Sequence, residues 1–212
     1  MDTPQPKYDS AKETSRIESF SDGVFAIAIT LLVLDIRVPD LNPNESLLKS
    51  LLVEWPSFLA LLIGFFTLLI CWINHHYMFQ LIHRSNSMLL LINGFKLLIV
   101  TITPFATALL SKHIQTDWEN SAVTIYCFNF ALMGIAMTGV WIYSYKKGFA
   151  GSISDKVLIS VTKLYIFAGI FSTMIWIVSF FSIILCMVLF GIMFLIFLFP
   201  KRVVNWLTIR NK

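Results

Sequence analysis

Charge is scarce in this chain: Asp, Glu, Lys and Arg together make up 13% of its 212 residues, about half the share usual in a soluble domain. Cysteine is scarcer still. Cys71, Cys127 and Cys186 fall in three different apolar blocks with no CxxC spacing. That argues against a disulfide framework or a cysteine metal site and leaves three small buried hydrophobes. Residues 1–15 lack the basic segment, short apolar core and small-residue cleavage site of a secretory signal, so the first apolar block is expected to stay as a signal anchor. No Gly-rich phosphate loop, nucleophile elbow, HExxH helix or nucleophile–base pair occurs, so neither an enzyme nor a cofactor is expected. The TVGYG run of a carbonyl-lined potassium filter is missing as well.

What is present is apolar and arranged in blocks. Hydrophobic residues make up 57%, and Phe alone occurs 19 times. This is the composition of an all-α polytopic membrane protein. A spanning helix needs roughly 20 mostly apolar residues, which places six helices near 17–37, 55–80, 87–110, 120–145, 156–178 and 181–199. The last two come from one long run, Val157 to Pro200, divided by a tight turn near Ser179–Ser182. The expected division is a segment 1–15, a six-helix domain 16–200 and a basic tail 201–212. Ser10–Glu13 and Thr116–Glu119 have the capping-box pattern, and Pro56 suits a first helical turn.

Basic residues orient the spans. Lys7, Lys12, Arg16, Arg84, Lys146, Lys147, Lys156, Lys201, Arg202, Arg210 and Lys212 fall on one side; only Arg37, Lys49 and Lys112 fall on the other. The first side is cytoplasmic by the positive-inside rule, which makes this a multi-pass protein of the cell membrane with both termini in the cytoplasm. The same distribution, in loops and tails, explains the net charge of +4 without a nucleic-acid partner; the partner is the lipid bilayer.

Polar groups within spans are the informative ones, since each costs on the order of a few kcal/mol unless partnered or hydrated. Asp22, His75, His76, Asn93 and Lys96 share one depth, near the cytoplasmic end, and can form one network. Asp22 also stands four residues from Glu18, a like-charge pair that calls for a basic partner such as Arg16 or Lys96. The alternative is that Asp22 rests in headgroup water. His75-His76 suits structural hydrogen bonding better than a metal, which needs three or four converging ligands.

On the first helix Phe20, Gly23, Ile27, Thr30, Leu31 and Leu34 share one face. Such a stripe describes a lipid-facing or packed surface equally well. If several copies surround an axis, Ile27 and Leu34 form hydrophobic rings that gate by dewetting or closure, and Thr30 is the one polar ring between them.

The run Arg16-Ile-Glu-Ser-Phe20-Ser21-Asp22-Gly23 resembles the RxxxFSD signature of the transmembrane protein 175 family, the lysosomal potassium channels and their prokaryotic relatives. The following VFAIAITLLVLDIRVP is similar to that family's first helix. So are Trp72-Ile-Asn-His75-His76-Tyr-Met-Phe79, Asn93 and Thr103-Pro104-Phe105 in their places. The resemblance spans most of the chain. It implies a cation channel selective for potassium over sodium, with a single repeat of the prokaryotic kind assembled as a homotetramer around the first helices. Carried over by position, Ile27 is the main constriction, Leu31 and Leu34 the layers above it, and Thr30 the hydroxyl near which potassium passes. Arg16, Phe20, Ser21, Asp22 and Asn93 belong to the cytoplasmic-side network, with His76 favoured over His75 as its histidine. The competing reading is a proton- or cation-coupled secondary transporter with Asp22 and His76 as its relay, although no inverted repeat is evident.

Overall fold

The computed structural model describes residues 14–36, 46–151 and 153–210. The expected cap at Ser10–Glu13, the loop around Arg37 and the basic residues Lys7, Lys12 and Lys212 lie outside the described residues. Among the described residues five helical stretches are long and apolar enough to cross a membrane: α1 (Ser15–Leu31) together with the 3-10 turn that continues it to Asp35, α3 (Trp55–Leu81), α4 (Ser87–His113), α5 (Glu119–Lys146) and α6 (Asp155–Ser179). A short α2 (Leu47–Val53) precedes α3, and α7 (Ile183–Phe197) and α8 (Pro200–Arg210) close the chain. Among the described residues there is no β-strand, only the single bridge Ile82–Ala150.

The expected sixth span at 181–199 is shorter than anticipated. The 15 residues of α7 rise about 22 Å, short of a hydrocarbon core of about 30 Å. The chain then bends by 78° into α8, so α7 and α8 count as a sixth span only when taken together. The turn itself falls where expected, and Ser182 caps α7 by accepting from the Leu185 backbone N–H at 3.2 Å. The tail beyond residue 200 is helical and packs against α6.

Other helix ends follow local chemistry. Pro56 lies in the first turn of α3, where its missing N–H costs nothing. The Asn86 carboxamide caps α4 by accepting from Leu89 N at 2.9 Å. The expected box at Thr116–Glu119 does not form. Gln115 is left-handed, at φ 63°, and reverses the chain directly after α4. Thr116 spends its hydroxyl on that reversal, donating to His113 O at 2.9 Å and accepting from Trp118 N at 3.2 Å.

In the bundle α5 lies between α4 and α6, while α1 packs chiefly on α4 and α3 among the described residues. Small residues bring α5 and α6 together: a Cβ on Gly134 would collide with the Ser172 side chain, and Thr138 Oγ1 donates to Tyr165 O at 2.6 Å. The α3–α4 and α5–α6 connections meet at the Ile82–Ala150 bridge, and Thr14 Oγ1 donates to Ile82 O at 3.2 Å. This junction defines the N-terminal end of the bundle.

Candidate functional site

The first helix divides into two faces. Ile17, Ser21, Phe25, Ala28 and Leu32 recur at helical spacing and are buried against α3 and α4. Opposite them Phe20, Ile27, Leu31 and Leu34 are exposed, Ile27 at 61% and Leu34 at 73%. Gly23 and Thr30 are exposed on the same face. Thr30 Oγ1 donates to Ile27 O at 2.9 Å, so its hydroxyl oxygen keeps free lone pairs toward the open face. At its far end the helix tightens into a 3-10 turn, Leu32–Asp35. There Leu34 and Asp35 border a polar recess with Glu54, Ser57 and Lys112.

At the N-terminal end the polar residues fall into two groups. One is buried behind α1. Asn93 Nδ2 donates to Ser21 Oγ at 3.1 Å, and Ser21 Oγ donates to Ile17 O at 2.8 Å. Beside them Lys96 Nζ lies 2.6 Å from His75 Nδ1. With Lys96 as an ammonium, which has donors only, Nδ1 accepts and the ring N–H stands on Nε2. Lys96 is fully buried, and its Nζ lies over the faces of Phe25 and Phe79, with ring centroids at 5.6 and 5.9 Å. Such placement over aromatic rings is attractive when desolvated. His75 Nε2 and Asn93 Oδ1 remain buried without a hydrogen-bond partner.

The second group is exposed. Trp72 Nε1 donates to Asp22 Oδ1 at 2.8 Å. His76 stacks on Trp72 with centroids 5.8 Å apart and planes 21° from parallel, and its Nε2 is 2.9 Å from Gln80 Nε2. The doublet is thus split, with His75 facing inward and His76 outward. Arg16 is exposed and joins neither group, and Phe20 lies on the open stripe. Lys96, one of the basic partners anticipated for Asp22, lies close enough to interact with it electrostatically, while the hydrogen bond to Asp22 comes from a neutral indole. Trp72 heads the run that carries the two histidines, and its i, i+4 spacing to His76 stacks the two rings on α3, but nothing in the sequence paired it with Asp22.

Residues 16–104 match the family described as endosomal/lysosomal potassium channel TMEM175. A potassium channel of Chamaesiphon minutus is 45% identical over 131 residues, 61% of this chain and 64% of that protein. The chain thus matches a little under two thirds of that relative's length. A protein of Gallus gallus described as an endosomal/lysosomal proton channel is 33% identical over 137 residues, 59% of this chain and 27% of that one. Among solved structures, the crystal structure of a lysosomal potassium-selective channel TMEM175 homolog from Chamaesiphon minutus superposes with a TM-score of 0.79 at 36% identity, covering 89% of this chain and 97% of that one.

Proposed function

The chain belongs to the family of TMEM175 channels, and from that premise we propose that it is a cation channel passing potassium in preference to sodium, with α1 from four copies around one axis. The observation that carries this reading is the open stripe of α1. A helix packed on one face against α3 and α4 presents Ile27, Thr30, Leu31 and Leu34 on the other, with nothing among the described residues covering them. Four such stripes facing inward form stacked apolar rings with one ring of hydroxyls.

An apolar ring cannot replace a hydration shell as carbonyls do. It favours the cation that gives up water at lower cost, which is potassium over sodium. Thr30 oxygens then bridge ion and retained water. Asp22 at the N-terminal end and Asp35 at the other draw cations to the two mouths. The excess of Lys and Arg on the N-terminal side supports cytoplasmic termini in a cell membrane.

A second reading is favoured by one contact. Asp22 and His76 share Trp72, the first through a hydrogen bond and the second by stacking, and both are titratable. They suit a proton- or cation-coupled carrier. Planar-bilayer recording with potassium and sodium on opposite sides decides between the two. Unitary current steps reversing toward the potassium potential support the channel; saturating flux without steps supports the carrier.

A further inference from the structure

Beyond the 78° bend, α8 lies across the bundle rather than along it, and two contacts fix its depth. Just before it, Phe197 O accepts from Asn74 Nδ2 of α3 at 2.8 Å. Near its other end, Thr208 Oγ1 donates to Ser160 Oγ of α6 at 3.1 Å. Asn74 stands seven residues from the end of α3, and Ser160 five from the start of α6. At 1.5 Å per residue, both anchors lie about 8–10 Å inside the N-terminal end of the bundle. The 27 or 28 residues of α3, α4 and α5 reach about 40 Å, the thickness of a bilayer with its headgroups. The position of α8 is therefore the boundary of headgroups and acyl chains, where amphipathic interfacial helices rest.

Its two faces suit that boundary. Val203, Val204, Leu207 and Thr208 turn toward the bundle, while Lys201, Arg202, Asn205, Trp206 and Ile209 are exposed. The Arg202 guanidinium lies over the Phe199 ring, 4.9 Å from its centroid, and a stacked guanidinium keeps its N–H edge for a planar anion such as phosphate. Among the described residues, neither Lys201 nor Arg202 has a side-chain hydrogen bond or an ion pair.

The flank of α6 adds to the same charge. Lys156 and Lys163 are exposed, one turn to either side of Ser160. Lys163 stands about 12 Å inside the start of α6, a depth at which an ammonium needs an anion or a route to the surface. Against these four cations stands one acid, Asp155, at the first position of α6. We propose that the exposed face of α8 binds anionic phospholipids of the leaflet on the N-terminal side, with Arg202 and Lys201 on the phosphate and Trp206 and Ile209 among the upper acyl carbons.

The test uses the full chain in detergent, with phosphatidylglycerol and phosphatidylcholine of identical acyl chains as probes. Native mass spectrometry should show phosphatidylglycerol retained roughly tenfold more than phosphatidylcholine. The Lys201→Gln/Arg202→Gln double variant should bring that ratio to about twofold or less, whereas Lys49→Gln, on the opposite side, should leave it unchanged. Equal retention of the two lipids, or a preference kept by the double variant, overturns the proposal. So does displacement of phosphatidylglycerol by an equal concentration of glycerol phosphate, which would reveal a site for free anions. Should the double variant fail to fold, acetylation of the wild-type chain decides. Phosphatidylglycerol should protect Lys201 at least threefold better than phosphatidylcholine does, and Lys49 not at all; equal acetylation of Lys201 in the two lipids overturns the assignment.

Discussion

Trp72 donates its indole N–H to the Asp22 carboxylate at 2.8 Å, joining α3 to the start of the helix that carries the open stripe. Asp22 lies on the exposed side of α1, so this bond acts where lipid headgroups, water and neighbouring copies compete for the same oxygen. The bond holds α1 in rotational register, because Asp22 reaches Trp72 only when Ser21 is turned inward to Asn93.

Replacing Trp72 by Phe keeps a ring for His76 and removes the donor. The expected cost is about 1 kcal/mol, the usual net worth of one hydrogen bond, seen as a lower Tm in detergent, with altered open probability in bilayers. If both stay at wild-type values, the register of α1 is set elsewhere.

Ile27→Asn puts an amide where the narrowest apolar ring is proposed. Potassium leak should rise and preference over sodium should fall, because the barrier to a hydrated ion is lowered. Leu91→Asn, also exposed but on α4, serves as the comparison and should leave both unchanged. Wild-type current in Ile27→Asn would move the constriction off this stripe.

Lys96 and His75 are tested as a pair. Lys96→Met leaves His75 Nδ1 without a donor, and His75→Phe leaves a buried ammonium without its acceptor. Each should cost about 2–3 kcal/mol, as for hydrogen bonds to charged groups. The double variant should cost clearly less than the sum, since coupled residues in contact are not additive. Additive costs in chemical unfolding would mean that the 2.6 Å contact contributes nothing of its own.

Gly64 lies where α3, α4 and α1 meet. A Cβ there would come within 2.7 Å of Thr107 Oγ1 and 3.1 Å of Leu32 Cδ2. Gly64→Ala should destabilise by about 1–3 kcal/mol, as overpacking does. It should also change conductance, because Leu32 is on the inward face of the helix that carries Leu31 and Leu34 outward. A variant with lowered Tm and untouched conductance would uncouple that packing from the pore.

Sidedness is read by labelling single introduced cysteines in intact cells; the native three are all buried. Lys147→Cys, in the α5–α6 connection, should resist a membrane-impermeant maleimide added outside, while Trp118→Cys, at the opposite end, should react. The reverse pattern would invert the proposed topology.

The stripe of α1 was legible because burial on a lone helix follows its 3.6-residue period, and Ile17, Ser21, Phe25, Ala28 and Leu32 leave only one side for Ile27 and Leu34. Pro56 was equally plain, since a proline there has one comfortable position. Cross-helix partners were not legible. Nothing in the order of residues tells Asp22 to take Trp72 rather than Lys96, or separates His75 from His76, because neighbours on α3 differ by about 100° in direction and the rotation of the helix is set by packing. The short α7 was hidden for another reason. The bend has a local mark in Pro200, which opens α8, but the run Val157 to Pro200, with Lys163 as its one charge, does not show how few of its residues α7 keeps.

Asn74 also ties α3 to the end of α7. Its amide occupies the carbonyl of Phe197, the last residue of α7, one of those a helix leaves open at its end. The end of α7 is therefore marked twice, by Pro200 just beyond it and by a side chain in a different helix, more than a hundred residues upstream. Length is thereby assigned from outside, so lengthening α7 by adding apolar residues would displace the join with α3 before it lengthened the span.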